Sequence, residues 1–371
     1  MIVDDLLKSP VLWLSIEQDT GIAVSSRIRL ARNLRGVPFP GRASPEQCQS
    51  LWTLLARAFE QMPATRNALL LEMSALDPVV KDILKERHMI SRELSEKGKG
   101  SGVIIAQDEQ IAAMVNEEDH VRLQAVGPGL NLEELWKRID AVDTALEQHV
   151  EYAFLPRYGY LTACPTNVGT GLRASVMMHL PGLRMMNEIE SVVRGLERMG
   201  LAVRGLQGEG SDAVGDMFQV SNQATMGQTE TEIMGQLTVL VKELVEHERN
   251  ARLRLTEQRR IYLVDQVGRA YGVLLHAHVL SSRESFDMLS ALRLGVEFNL
   301  VQNLTVGQIN KIMLLTQPGH LQRMAGRVMD AEERDQLRAR LLREQLKDLC
   351  LAEAGRKRRS SRRVERARKT P

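Results

Sequence analysis

Four short stretches of this 371-residue chain concentrate side chains able to do chemistry. In Ser25-Ser26-Arg27-Ile28-Arg29 an extended backbone sends Arg27 and Arg29 to the same side, and two adjacent guanidinium forks make an anion clamp. Asn116-Glu117-Glu118-Asp119-His120-Val121-Arg122 sets three consecutive carboxylates beside a histidine and an arginine. From Cys164 to Arg173 a strand ends in a cysteine, a glycine-bearing turn follows and a helix is expected from about Leu172. Backbone N–H groups and a positive helix end then converge near a thiol, which suits an anion and lowers the thiol's pKa. From Arg204 to Asp212, three glycines surround Glu209 on a backbone free enough to move over a ligand. Each stretch also has an ordinary reading: a solvated strand face, a hairpin turn, an inert cysteine, a long loop. None is a Walker loop, because the Gly-Lys-Ser/Thr ending is absent.

The elements that must position these residues have their own signals. Ser44-Pro45-Glu46-Gln47 followed by Leu51, Leu54, Leu55, Ala58, Phe59 and Met62 predicts a capped helix. Residues 103–126 alternate like an antiparallel meander, and a helix is expected from Asn131 to about Val150. A strand at Tyr160–Cys164, helices near Leu172 and over Asn187–Met199, and a strand at MFQVSN complete an α+β domain, its antiparallel sheet flanked by helices. Beyond residue 228 strand signals fade. A long amphipathic helix and at least four more helical segments predict an all-helical C-terminal domain.

Composition excludes several classes. At 43% hydrophobic and 26% charged the chain has the material for globular cores, and a net charge of +2 gives no bulk affinity for nucleic acid or membrane. The charge is uneven: residues 355–371 carry +8, the preceding 354 carry −6, and the basic tail is expected to be disordered. Three cysteines without metal-ligand spacing predict neither a disulfide framework nor a zinc site. No signal peptide or spanning run is recognisable, so a cytoplasmic location is expected, with no membrane partner.

The motifs CPTNVGTGLR, NEEDHVR and SSRIR, in this order, resemble those of the phosphagen kinases, the family of creatine and arginine kinases. Only 24 residues precede Ser25, where ordinary members carry a helical domain, and a helical domain follows instead. The chain is therefore similar to the bacterial protein-arginine kinase branch. That resemblance implies a lead at 1–19, an ATP:guanidino phosphotransferase domain at 20–255, a helical dimerisation and phosphoarginine-binding domain at 256–354 and the tail at 355–371.

The reaction implied is transfer of the ATP γ-phosphate, with Mg²⁺ carried by ATP and no metal ligand from protein side chains, to arginine side chains of proteins. Glu118 is implied as the base, Glu209 as a second carboxylate gripping the guanidinium, and Cys164 as an orienting thiolate. ATP contacts are implied at Ser25, Ser26, Arg27, Ile28, Arg29, His88, Arg122, Arg173, Ala174, Ser175, Val176, Met177, Arg204, Gly205, Leu206, Gln207, Gly208 and Glu209. Arg334, Asp335 and Arg338, within an R-D-x-x-R-A motif, are implied as an allosteric phosphoarginine site. Implied partners are proteins with exposed arginines, a Clp-type protease or chaperone, a zinc-binding activator protein and further copies of the chain, in a stress-response setting. A kinase of free arginine or another small guanidino metabolite, and a catalytically silent phosphoarginine reader, are the alternatives.

Overall fold

The computed structural model describes residues 11–14, 21–205 and 213–352. Most of the lead, the glycine-rich stretch with Leu206, Gln207, Gly208 and Glu209, and the basic tail lie outside them.

Eight strands form one antiparallel sheet: β1 (Ala23–Arg32), β2 (Leu69–Glu72), β3 (Gly102–Ile105), β4 (Ile111–Val115), β5 (Val121–Pro128), β8 (Leu172–His179), β9 (Leu201–Gly205) and β10 (Met217–Asn222). Their order is β2-β3-β4-β5-β1-β8-β10-β9. A short hairpin pairs β6 (Phe154–Leu155) with β7 (Gly159–Tyr160), and a two-residue antiparallel ladder joins β11 (Val301–Gln302) to the distant β12 (Cys350–Leu351). Helices α1 (Pro45–Gln61), α2 (Pro78–Glu86), α3 (Arg92–Ser95), α4 (Leu132–Glu147), α5 (Pro181–Met185) and α6 (Ile189–Arg198) belong with the sheet. After α7 (Glu230–Gln258) come α8 (Arg260–His276), α9 (Ser282–Glu297), α10 (Val306–Leu315), α11 (Pro318–Ala325) and α12 (Ala331–Gln345).

Strand periodicity sorts the two faces. Ile28, Leu30, Leu123, Leu172, Ala174, Val176 and Val220 point to one face and are sealed there by α1, α4 and α7. On the other face, α2 and α3 cover the β2–β4 end with Leu84, Met89 and Leu94 against Val103, Ile105 and Met114. The helical C-terminal core reaches Val24, Val214 and Met217 at the opposite end. Between these two caps the middle of the face stays open.

The expected helix from Leu172 is instead the strand β8. Leu172, Ala174, Val176 and Met178 are each fully buried at alternate positions, a period of two that pairing with β1 and β10 imposes. The leucine, alanine and methionines there suggest a helix, and tertiary pairing overrides that preference. The expected strand to Cys164 also shortens to Gly159–Tyr160, and Cys164 opens a 3₁₀ turn, Pro165–Asn167. The capped helix α1 forms as its sequence predicts, with Ser44 and Gln47 exchanging both bonds of a capping box.

Arg32 shows how parity separates arginines by role. One residue out of step with Arg27 and Arg29, it enters the core face, where Asp143 of α4 accepts from its Nε at 3.0 Å and its Nη2 at 2.7 Å. The Tyr160 ring lies 3.6 Å from its guanidinium carbon. Asp143→Ala strands that buried charge, and urea titration is expected to show a loss of about 3–5 kcal/mol. A loss within experimental error would mean water reaches Arg32.

Candidate active site

The register of the sheet assembles the arginines. Arg29 faces Arg173 across the β1–β8 ladder, Ala31 faces Arg122 across β1–β5, and Arg204 faces Gln219 across β9–β10. Directly opposed residues of antiparallel strands share a face, so Arg27, Arg29, Arg122, Arg173 and Arg204 rise together from the open one. Arg29, Arg122, Arg173 and Arg204 line a cleft of about 1030 Å³ with Glu117, Glu118 and Cys164. Arg27 donates to Gln219 Oε1 at 3.2 Å.

Crowding of like charge leaves a signature. Burial, then Arg173 and Arg122, pull the Arg27 guanidinium down to about 10. Burial and the arginines 27, 122 and 173 hold Arg29 well below its ordinary value, with only Glu117 opposing them. Arg173 is lowered by burial and by Arg204 and Arg122. An uncompensated group of cations in a cleft is arranged for a polyanion. Arg122 behaves differently: burial works to lower it, yet Glu117, Asp119 and Glu118 raise it above the usual value. Its contacts run 2.5 Å to Glu117, 2.9 Å to Glu118 and 3.5 Å to Asp119.

The three carboxylates divide their work. Glu117 is buried and accepts from the Ser91 hydroxyl. Asp119 Oδ1 accepts from Asn33 Nδ2 and from the Ala163 backbone N–H, both at 2.7 Å, which ties the carboxylate segment to the end of β1 and to the cysteine loop. Glu118 alone is open, its side chain 48% exposed, so it alone can meet an incoming group. His120 holds the loop after β1 through Leu34 N–H to Nδ1 (3.0 Å) and through Nε2 to the Pro38 carbonyl (2.8 Å). Ser91, Gln219, Asn33 and the structural roles of Glu117, Asp119 and His120 are not among the sequence candidates. The run of three acids was a visible signal for two of them.

Cys164 is half-buried at the cleft wall, its Sγ 3.0 Å from Thr166 Oγ1. With β8 a strand, the α-helix expected to end at this thiol does not form, and Cys164 instead caps the three-residue 3₁₀ turn Pro165–Asn167. Gly171, at φ +65°, presses on β1 so closely that a Cβ would stand 2.6 Å from the Ala31 carbonyl oxygen, and its own carbonyl accepts from Ala31 N–H at 2.9 Å. Only glycine fits that contact.

The remaining sequence candidates are scattered. Ser26 is buried, donating to the Gly129 carbonyl at 2.7 Å and accepting from Asn131 N–H at 3.0 Å. Ile28, Ala174 and Val176 point into the core on the far face, so their side chains do not line the cleft. Ser25 faces Met177 and Ser175 faces Arg27 across the β1–β8 ladder. Gly205 ends β9. His88 and Met177 line a second cavity of about 580 Å³, beside Arg27. Burial and then Arg27 push the His88 imidazole down to about 3, so it is neutral at physiological pH. In the helical domain, the buried Arg338 gives its donors to the Thr316 (2.9 Å) and Leu280 (2.7 Å) carbonyls and to Asp335. Arg334 donates to the Met329 carbonyl at 2.6 Å. Among the described residues no three His, Cys, Asp or Glu side chains converge as a metal site, and no helix is long and apolar enough to cross a membrane.

Known proteins share this arrangement. The pattern of the ATP:guanido phosphotransferase C-terminal catalytic domain matches residues 51–251, and that of the protein-arginine kinase McsB C-terminal domain matches residues 260–359. The protein-arginine kinase of Geobacillus sp. (strain WCH70) is 44% identical over 338 residues, covering 90% of this chain and 93% of that protein. That of Moorella thermoacetica is 46% identical over 329 residues, 88% and 94% of the two chains. The crystal structure of lombricine kinase superposes with a TM-score of 0.56 at 26% identity, over 65% of this chain and 71% of the other. This chain therefore belongs to the ATP:guanido phosphotransferase family, on the branch that carries the protein-arginine kinase C-terminal domain.

Proposed function

We propose that this chain transfers the γ-phosphate of ATP to arginine side chains of proteins. The observation that carries the reading is one cleft in which the unpaired guanidinium groups of Arg29, Arg173 and Arg204, the exposed carboxylate of Glu118 and the Cys164 thiol converge. The base occupies the cavity at His88 and Met177, and the triphosphate runs past Arg27 onto Arg29, Arg122, Arg173 and Arg204. Mg²⁺, carried by the phosphates, supplies charge neutralisation.

An arginine side chain is a poor nucleophile, its guanidinium protonated to above pH 12 and its lone pairs delocalised. Glu118 already holds the Arg122 guanidinium at 2.9 Å; in the reaction it grips an incoming one, aligns a terminal nitrogen and takes its proton as the N–P bond forms. Cys164 orients that nitrogen from the opposite wall. Glu209, outside the described residues, is assigned the second grip on the guanidinium. Negative charge on the transferring phosphoryl group is met by arginines already in place, which is where the rate enhancement arises.

The resemblance extends the proposal to a homodimer or higher oligomer in the cytoplasm, to a zinc-binding activator, and to a Clp-type protease acting on the phosphorylated proteins. Arg334 and Asp335, half-buried near the start of α12, are the candidates to hold phosphoarginine, with buried Arg338 donating to Asp335. Incubated with ATP, Mg²⁺ and an arginine-rich protein, the purified chain is expected to form acid-labile phosphate on arginine. Label confined to serine, threonine or tyrosine contradicts the reading, and faster turnover of free L-arginine than of a protein acceptor favours the small-metabolite alternative.

A further inference from the structure

We propose that the helical C-terminal domain completes the nucleotide's base pocket, with the Asn310 amide reading the hydrogen-bonding edge of adenine. The proposal rests on the nucleotide reading given above and adds to it which part of the chain recognises the base.

The cavity beside Arg27 is walled by two domains. His88 and Met177 come from the sheet domain, Phe286, Asn310 and Met313 from α9 and α10. Its volume, about 580 Å³, and a wall that mixes apolar side chains such as Met177, Phe286 and Met313 with polar ones such as His88 and Asn310 suit a purine nucleoside. Asn310 is 2% exposed on α10, and neither its Oδ1 nor its Nδ2 has a hydrogen-bond partner. An orphaned buried polar group costs about 1–3 kcal/mol, and leucine would fill the same helical position without that cost. A side-chain amide offers a donor and an acceptor side by side, the complement of the 6-amino group and N7 of adenine. The indole N–H of Trp13, which lines the same cavity, is also buried without a partner, and its ring lies 4.9 Å from that of His88. Sealed from water in the free protein, the amide reaches the base by rotating within the cavity wall. The phosphates then continue past Arg27, the charged neighbour of His88, onto the arginine face.

Binding of ATP and of purine riboside triphosphate, which lacks the 6-amino group, to the full chain and to Asn310→Leu tests this by calorimetry. The expected result is an ATP preference of about tenfold in the parent chain, equivalent to about 1.4 kcal/mol. In Asn310→Leu that preference disappears through weaker ATP binding alone, and the nucleotide-free variant melts higher than the parent. Asn310→Ala serves if the leucine variant does not fold. In Trp13→Phe the change of tryptophan emission on adding ATP is expected to vanish. An undiminished preference in Asn310→Leu, or equal weakening of both nucleotides, overturns the assignment while leaving the kinase reading intact. Failure of the parent chain to bind either nucleotide overturns both.

Discussion

Glu118→Gln is expected to lower kcat for arginine phosphorylation by about 10³-fold, within the range associated with loss of a general base, while ATP affinity stays within about twofold. The substitution keeps shape and one hydrogen-bonding oxygen but removes the charge that grips a guanidinium and the site that accepts its proton. Arg122 does not come loose, because Glu117 at 2.5 Å and Asp119 at 3.5 Å still hold it. Kinetics on a protein acceptor, paired with nucleotide binding, separate the two effects. Wild-type turnover in this variant removes Glu118 from the chemistry. A parallel loss of ATP binding would show instead that Glu118 acts by shaping the phosphate site.

Arg29→Met is the second large effect, and it moves stability and activity in opposite directions. Arg29 is half-buried on β1, its Nε without a partner, among three other arginines. Removing it relieves repulsion in the free protein, so the thermal midpoint of the nucleotide-free chain is expected to rise. The same change removes a fixed cation from the place where charge develops on the phosphoryl group, and kcat/KM for ATP is expected to fall about 10³-fold. Stabilisation of the fold by added ATP, which follows RT ln(1 + [L]/Kd), shrinks with the lost affinity. A residue placed for folding loses stability when removed; one placed for a ligand gives the opposite sign. A lower midpoint in Arg29→Met would identify Arg29 as a structural arginine like Arg32.

What the chain revealed before folding depended on the range of the interaction involved. Local signals were readable: the capping box at Ser44–Gln47, the meander over 103–126, the strand MFQVSN and the long helix after Thr229 all form. Parity also told that Arg27 and Arg29 share a face, because that needs only an extended backbone. Facts set by pairing between distant strands were not readable. The segment after Leu172 has helical residues, and only its place between β1 and β10 makes it a strand. That same pairing turns Ile28, Ala174 and Val176 away from the cleft while bringing Arg173 opposite Arg29. The motif resemblance located Arg338 but not its burial beneath Thr316 and Leu280. Asn310 carried no signal, because a single asparagine in an amphipathic helix acquires meaning only when a domain more than a hundred residues away builds the other wall of its cavity.

The most direct test of the account is a crystal structure with a non-hydrolysable ATP analogue and an arginine-containing peptide bound together. The terminal phosphate is expected among Arg29, Arg122 and Arg173, with the peptide guanidinium between it and Glu118 and a carboxylate oxygen about 3 Å from the nitrogen facing phosphorus. A triphosphate seated away from the arginine face, or a peptide arginine that leaves Glu118 paired only with Arg122, contradicts it.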